Sequence, residues 1–185
     1  MGFQMPSAAP TQAGPAGLVY ADVPNRIIAY IIDVIILAVV GIVVNIVLGA
    51  LGLGILNSAL TLNFLGFVLV AVVSVVISAG YFIYTWTAMR GTVGMKVLGM
   101  QIGNAADGKT LTMDQAIRRW IFVGGWISLL NIVTTGLGAL GLLLALVGLV
   151  YEIYLLYTTA QSPTKQGFHD IMAHTMVVKA TRTVA

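Results

Sequence analysis

Residues 27–50, IIAYIIDVIILAVVGIVVNIVLGA, form an almost unbroken apolar run, and this run decides the class of fold. An α-helix rises about 1.5 Å per residue, so a run of this length crosses the ~30 Å hydrocarbon core of a bilayer. Three further apolar runs follow along the chain, at Phe64–Thr87, Trp120–Val133 and Gly138–Thr159. The sequence therefore predicts an all-α membrane protein, a four-helix transmembrane bundle made of two hairpins.

The third run, Trp120–Val133, is shorter than a full span, and three arrangements are open for it. The helix tilts, enters as a re-entrant segment, or is extended by an amphipathic lead-in from Met113. Segment Asn131–Gly136 carries no charge and is predicted to form the turn of the second hairpin. An even number of crossings follows if the third and fourth runs form one hairpin.

Composition and charge support a membrane protein and argue against other classes. The chain is 59% hydrophobic and only 8% charged, whereas a soluble domain carries about 25% charged residues. All nine Lys and Arg residues fall on one side of the predicted membrane, which is the cytoplasmic side by the positive-inside rule. We expect an integral protein of a prokaryotic cytoplasmic membrane with both termini in the cytoplasm. The spread of the basic residues indicates no nucleic-acid partner, and the bilayer is the expected one.

The segments outside the spans predict short tails at both ends of the transmembrane domain and a small two-strand cap on its cytoplasmic side. Residues 1–21 are predicted to be a flexible tail, residues 22–180 the transmembrane domain and residues 181–185 a second tail. Pro24 marks the start of the first helix, and Thr112–Gln115 is a capping box for a later one. The alternating stretch Lys96–Ile102, with Met95 at its edge, is predicted to pair with a strand at Met172–Lys179 as a cytoplasmic two-strand cap.

Two carboxylates, Asp33 and Glu152, lie deep within predicted spans and are the candidate proton- or cation-binding residues. By helix rise both lie about 10 Å inside the cytoplasmic edge, at matching depth. A charge there costs roughly 2.5–3.5 kcal/mol unless it is paired, hydrated or protonated. The alternative is that each acid is held separately: Arg26 folds back to Asp33, and Glu152 bonds a backbone amide or a tyrosine (Tyr30, Tyr81, Tyr151 or Tyr154), or reaches the interface.

Enzyme chemistry is not expected. The chain has no Cys, and His169 and His174 are five residues apart, which suits no zinc site. The segment Gly91–Lys96 is too compact for a phosphate-binding loop, and no nucleophile motif is present. We expect no metal site, no cofactor and no catalytic residues.

Three motifs in order resemble the RDD family of small integral membrane proteins, which is named for one Arg and two Asp. They are NRIIAYIID at 25–33, RGTVGMKVLGMQI at 90–102, and SPTKQGFHD at 162–170 with AHT at 173–175. The resemblance assigns the three family positions to Arg26, Asp33 and Asp170. It also implies that Asp170 lies near Arg26 or Arg90 as a surface pair. Many members have Pro and Gly where this chain has Val93 and His174.

The resemblance implies transport of a ligand, and in some members proton-linked cation exchange. Two hypotheses follow. In the first, the chain is a small carrier, oligomeric because four helices barely enclose a pathway, and it uses Asp33 and Glu152 as a protonatable cation site. In the second, it is a non-catalytic accessory subunit packed against a larger membrane complex, which fits the scarcity of polar residues in its spans and its glycine-lined helices.

Overall fold

The computed structural model describes residues 17–56, 61, 63–129 and 139–179. Three long helices dominate it: α1 (Val23–Ala50), α2 (Phe64–Ala88) and α5 (Ala139–Gln161). All three are long and apolar enough to cross a membrane. Most of their large apolar side chains point outward, as contact with lipid requires. The membrane class is therefore confirmed.

The helices begin where local chemistry satisfies their free amides. Asp22 caps α1 by accepting from the Asn25 amide at 3.2 Å, and Pro24 lies in the first turn, as predicted. Asn63 caps α2 in the same way through the Gly66 amide. The capping box predicted at Thr112 and Gln115 is also confirmed, and it starts α4 (Met113–Trp120).

The third apolar run is described only in its first part. After α4 the backbone makes a π-helical segment, Ile121–Gly125, and residues 126–129 are helical. Gly124 lies inside this segment with a φ of 141°, which is a conformation that favours glycine. The predicted turn Asn131–Gly136 lies outside the described residues. The prediction of a four-helix bundle is thus confirmed for three spanning helices and not for the fourth.

A small cap lies at one end of the three helices. It consists of α3 (Val93–Val97), β1 (Met100–Asn104), α6 (Phe168–Met172) and β2 (Thr175–Lys179). The two strands pair antiparallel from Met100↔Lys179 to Asn104↔Thr175, which confirms the predicted two-strand sheet.

The predicted strand bounds were partly wrong. Residues 93–97 are helical because Thr92 caps them, its side chain accepting from the Met95 amide at 3.2 Å. The strand at Lys96–Ile102 therefore starts only at Met100. The second strand starts at Thr175 rather than Met172 because residues 168–172 form α6.

The end of the predicted tail also belongs to the fold. Tyr20 bridges Val178, and the Ala21 amide donates to the Val177 carbonyl oxygen at 2.9 Å, so residues 19–21 run beside β2. The buried core lies between this cap and the ends of α1 and α2. Its largest fully buried apolar side chains are Met100, Ile102, Met176 and Val177.

Candidate functional site

Asp33 ties three helices together at the capped end of the bundle. It is 2% exposed, and its Oδ1 accepts from the Tyr81 hydroxyl of α2 at 2.6 Å and from the Gly94 amide of α3 at 2.9 Å. The Tyr81 oxygen in turn accepts from the Val93 amide at 3.2 Å. No described residue donates to Asp33 Oδ2. Asp33 therefore has a structural role through one oxygen and keeps the other free.

The α3 helix reaches Asp33 because residue 94 is glycine. A Cβ at this position would collide with the carbonyl oxygen of Ala29 in α1. The backbones of α1 and α3 therefore touch directly, and the Gly94 amide in the first turn of α3 donates to the Asp33 carboxylate. Gly94, one of the glycines in the sequence motif at residues 90–102, is thus explained by the close approach of two backbones.

The second family acid, Asp170, is fully buried in α6 and is shared by two arginines. Its Oδ2 accepts from Arg26 Nη1 at 2.7 Å, and its Oδ1 forms a short ion pair with Arg119 Nη1. The Thr175 hydroxyl and the Gly167 amide complete its hydrogen bonds at 3.2 and 3.1 Å. We call Arg26, Arg119, His169 and Asp170 the cap cluster.

Two predictions about this region were wrong. Asp170 does pair with Arg26, but the pair is buried instead of lying on the surface. Arg26 does not fold back to Asp33, because its guanidinium also donates to the carbonyl oxygens of Ala21 and Val177 at 3.3 Å. Arg26 therefore holds the cap in place and does not pair with Asp33.

Arg119 is a residue of this site that was not singled out from the sequence. It is 4% exposed, and it donates to Thr175 Oγ1 at 2.6 Å. Its guanidinium also stacks over the Trp86 ring at 5.2 Å. A signal was present: Gln115, Ala116, Arg119 and Trp120 recur at helical spacing and form the buried face of α4.

The charges of the cap cluster follow from this geometry. Burial opposes ionisation of Asp170, but the charges of Arg119 and Arg26 outweigh it and hold the pKa of this carboxyl well below its ordinary value of 3.8. Burial, together with the two arginines, lowers the pKa of His169 to about 4, so the imidazole is neutral near pH 7. Two guanidinium groups and one carboxylate leave the cluster with one net positive charge.

The second candidate acid, Glu152, lies on the wall of the same cavity as Asp33. This cavity has a volume of about 260 Å³ and lies among α1, α2, α4 and α5, with Arg26 and Arg119 at its cap end. Glu152 also borders a neighbouring cavity of about 360 Å³ beside Gly124. A Cβ at Gly124 would lie 3.0 Å from Glu152 Oε1, so glycine leaves the room that this carboxylate occupies.

Glu152 is partly buried and makes no hydrogen bond or ion pair with any residue in the described part of the chain. The tyrosines predicted as possible partners of Glu152 form no hydrogen bond with it. The Tyr81 hydroxyl donates to Asp33 instead, and the Tyr151 hydroxyl donates to the Phe122 carbonyl oxygen at 2.5 Å. The two acids thus share a cavity but differ in constraint. Asp33 is held by two donors, whereas no hydrogen bond or ion pair from the described residues holds the Glu152 carboxylate.

The apolar helices and the anchored cap define a small polytopic membrane protein. The model of the RDD family matches residues 20–174, so the chain belongs to the RDD family, and the resemblance seen in the sequence is confirmed. Neither the curated proteins nor the solved structures give a match. Of the three residues assigned to the family positions, Arg26 and Asp170 form one buried pair, and Asp33 lies separately on the cavity wall.

Proposed function

We propose that this protein is a small membrane transporter that exchanges a cation for a proton in the cavity shared by Asp33 and Glu152. One observation carries the proposal: Glu152 borders that cavity without a hydrogen-bonding or ionic partner among the described residues. A charged side chain in a span is costly unless it is paired, hydrated or protonated, so an unpaired carboxyl there is a candidate functional group. Glu152 is the proton-exchanging group, and the free Oδ2 of Asp33 is a second oxygen ligand for the cation.

The orientation of this transporter follows from its charges. The cap carries the basic loop residues Arg90, Lys96 and Lys109, which favour the cytoplasmic side of a prokaryotic cytoplasmic membrane. Both termini are cytoplasmic in this arrangement, which requires a fourth crossing through the run that begins at Trp120. Few helices wall the cavity, so a homo-oligomer encloses the pathway.

The test is a flux assay in proteoliposomes with an imposed pH gradient, using Na⁺ and K⁺ as the cations. We expect Glu152→Gln to abolish the pH-dependent flux because the amide cannot carry the proton. Asp107→Asn is the matched control, since this carboxylate lies on the exposed cap turn, where it accepts from the Lys109 amide at 3.0 Å and lies 3.5 Å from the Lys109 ammonium. Flux in Glu152→Gln equal to that of the control would exclude the proposal.

An accessory subunit of a larger membrane complex is the second candidate function. It is favoured because several polar side chains in the spans bond their own helix: Asn45 to the Gly41 carbonyl oxygen at 2.9 Å and Ser74 to that of Val70 at 2.8 Å. Such pairs provide no polar pathway. Co-purification of a stoichiometric partner in mild detergent is expected in this case, and isolation as a homo-oligomer alone would count against it.

A further inference from the structure

We propose that the cap end of the cavity binds the carboxylate of a long-chain fatty acid, whose chain extends toward the lipid between α1 and α5. The proposal does not depend on the transport role, because its polar contacts come from the cap cluster, although the acyl chain lies in the cavity that Glu152 also lines. It starts from hydrogen-bonding groups that the protein leaves unused.

Unpartnered polar atoms are concentrated at this end of the cavity. Four buried side-chain nitrogens in the described part of the chain have no hydrogen-bond partner, and three of them belong to residues that line the cavity. These three are Trp86 Nε1, Arg119 Nε and His169 Nδ1. Trp86 and Arg119 are 3% and 4% exposed, so bulk water does not reach them freely. Trp86 Nε1 and Arg119 Nε are donors, and a buried donor without an acceptor is unfavourable, so these two groups point to a polar occupant that accepts hydrogen bonds.

The charge of the region selects an anion. Among the described residues, Arg26 and Arg119 form ion pairs with one buried carboxylate, Asp170, and His169 is neutral because burial lowers its pKa to about 4. The other two carboxylates of the cavity, Asp33 and Glu152, lie on its α1 and α5 walls and form no ion pair with these arginines, so the cap end keeps a local positive charge. The other acid near Arg26, Asp22, is half exposed and lies 3.6 Å from Lys179, so it is already paired. A ligand with a single negative charge neutralises the remaining positive charge, and its two oxygens match the indole and guanidinium donors.

The rest of the cavity selects an acyl chain. Apart from the ionisable groups its walls are mainly apolar, with Ile27, Phe82 and Leu156 among them. Ile27 and Leu156 are 37% and 42% exposed on α1 and α5, so the cavity wall continues onto the lipid-facing surface. A small inorganic anion would leave this apolar wall uncovered. An acyl chain covers the wall, and its carboxylate reaches the donors at the cap end.

The experiment uses the full-length protein in nanodiscs of zwitterionic phosphatidylcholine, with [1-¹³C]palmitate as the probe. We expect a carboxylate resonance separate from that of bilayer-dissolved palmitate, saturating at one per chain and displaced by unlabelled palmitate. Hexadecanol has the same chain but no charge and should not displace it. The bound carboxylate should also stay ionised at a lower pH than dissolved palmitate, because a guanidinium stabilises its charged form.

Trp86→Phe is the informative variant because it keeps the ring under Arg119 and removes only the Nε1 donor. We expect affinity to fall about tenfold, the loss typical of one hydrogen bond to a charged group. Trp120→Phe is the matched control, since its Nε1 bonds Ser78 Oγ at 3.5 Å and the residue does not line this cavity. Its affinity should equal that of the wild type.

Leu156→Trp gives a second, independent arm by filling the chain path, and it should abolish the bound resonance. Leu142→Trp, at a site 66% exposed on the same helix and outside the cavity, should not. The proposal is overturned if no bound resonance forms, as for a cavity that holds water only, if hexadecanol displaces palmitate equally, or if phosphatidic acid occupies the site instead. A Glu152→Gln variant that loses flux but binds palmitate would separate this proposal from the transport role.

Discussion

Replacing Asp170 with Asn tests whether the cap cluster holds the fold together. The substitution keeps the side-chain shape but removes the charge shared by Arg26 and Arg119, whose side chains are 11% and 5% exposed. Removing one partner of a buried ion pair destabilises a protein by about 3–5 kcal/mol, because the remaining charge is neither paired nor hydrated. Since Asn still offers one acceptor oxygen, we expect a loss of about 3 kcal/mol, at the lower end of that range.

The assay is reversible unfolding in mixed micelles of rising denaturing-detergent content, followed by tryptophan fluorescence. Asp114→Asn is the matched control because Asp114 also pairs with an arginine, Arg118, at 2.9 Å. That pair is exposed and lies within one helix, so its loss should cost only about 0.3–0.5 kcal/mol. If the two variants lose equal stability, the cap cluster is not the anchor that the contacts indicate.

The same substitution makes a prediction about pH. The pKa of Asp170 in the folded protein lies well below its ordinary value of 3.8, so the folded state favours the ionised carboxylate. Its contribution to stability is therefore complete above that ordinary value and is lost as pH falls toward the folded pKa. The stabilities of wild type and Asp170→Asn should differ at neutral pH and converge only below about pH 4.

Three further substitutions test other contacts. Gly94→Ala should destabilise the protein by about 1–3 kcal/mol through collision with Ala29, whereas Gly80→Ala, with open space around it, should not; equal thermal midpoints would contradict the close approach. His174→Gly should raise the unfolding free energy by about 0.5–1 kcal/mol because residue 174 has a φ of 52°, and a lower midpoint would refute this. The unfolding free energy of the wild type should fall by about 1 kcal/mol per pH unit from pH 6.5 to about 4, because His169 takes up a proton in this range only in the unfolded state. His169→Gln should flatten this pH dependence, and an unchanged slope would assign it to other groups.

The spans and helix starts were predictable because their signals are local. An apolar run long enough to cross lipid needs no partner to be recognised, and a cap such as Thr112 with Gln115 is completed within four residues. That the two strands pair was also predictable, since the first segment alternates and both segments flank predicted spans on the same side. The start of β1 was not, because a single turn at residues 93–97 is too short to show helical periodicity.

The cap cluster was less predictable because burial depends on contacts between distant segments. Arg118 and Arg119 are adjacent and chemically identical, yet Arg118 is exposed and Arg119 lies beneath α6 and β2. The two arginines differ only in the face of α4 on which they lie, and which face is buried depends on where α6 packs. The sequence placed Asp33 and Glu152 at similar depth, but it held no signal for which acid is tied to neighbouring helices.

The contacts of the family residues separate anchoring from exchange. Arg26 and Asp33 lie seven residues apart in α1, about 10 Å along the helix, and each holds a different half of the cap. Asp33 binds the start of α3, and Arg26 binds α6 through Asp170. A buried carboxylate with several fixed donors releases them only by disturbing the fold, so both family aspartates have a structural role. Glu152 has no such donors among the described residues, and this difference is why we propose it, a residue outside the three that name the family, as the proton-exchanging group.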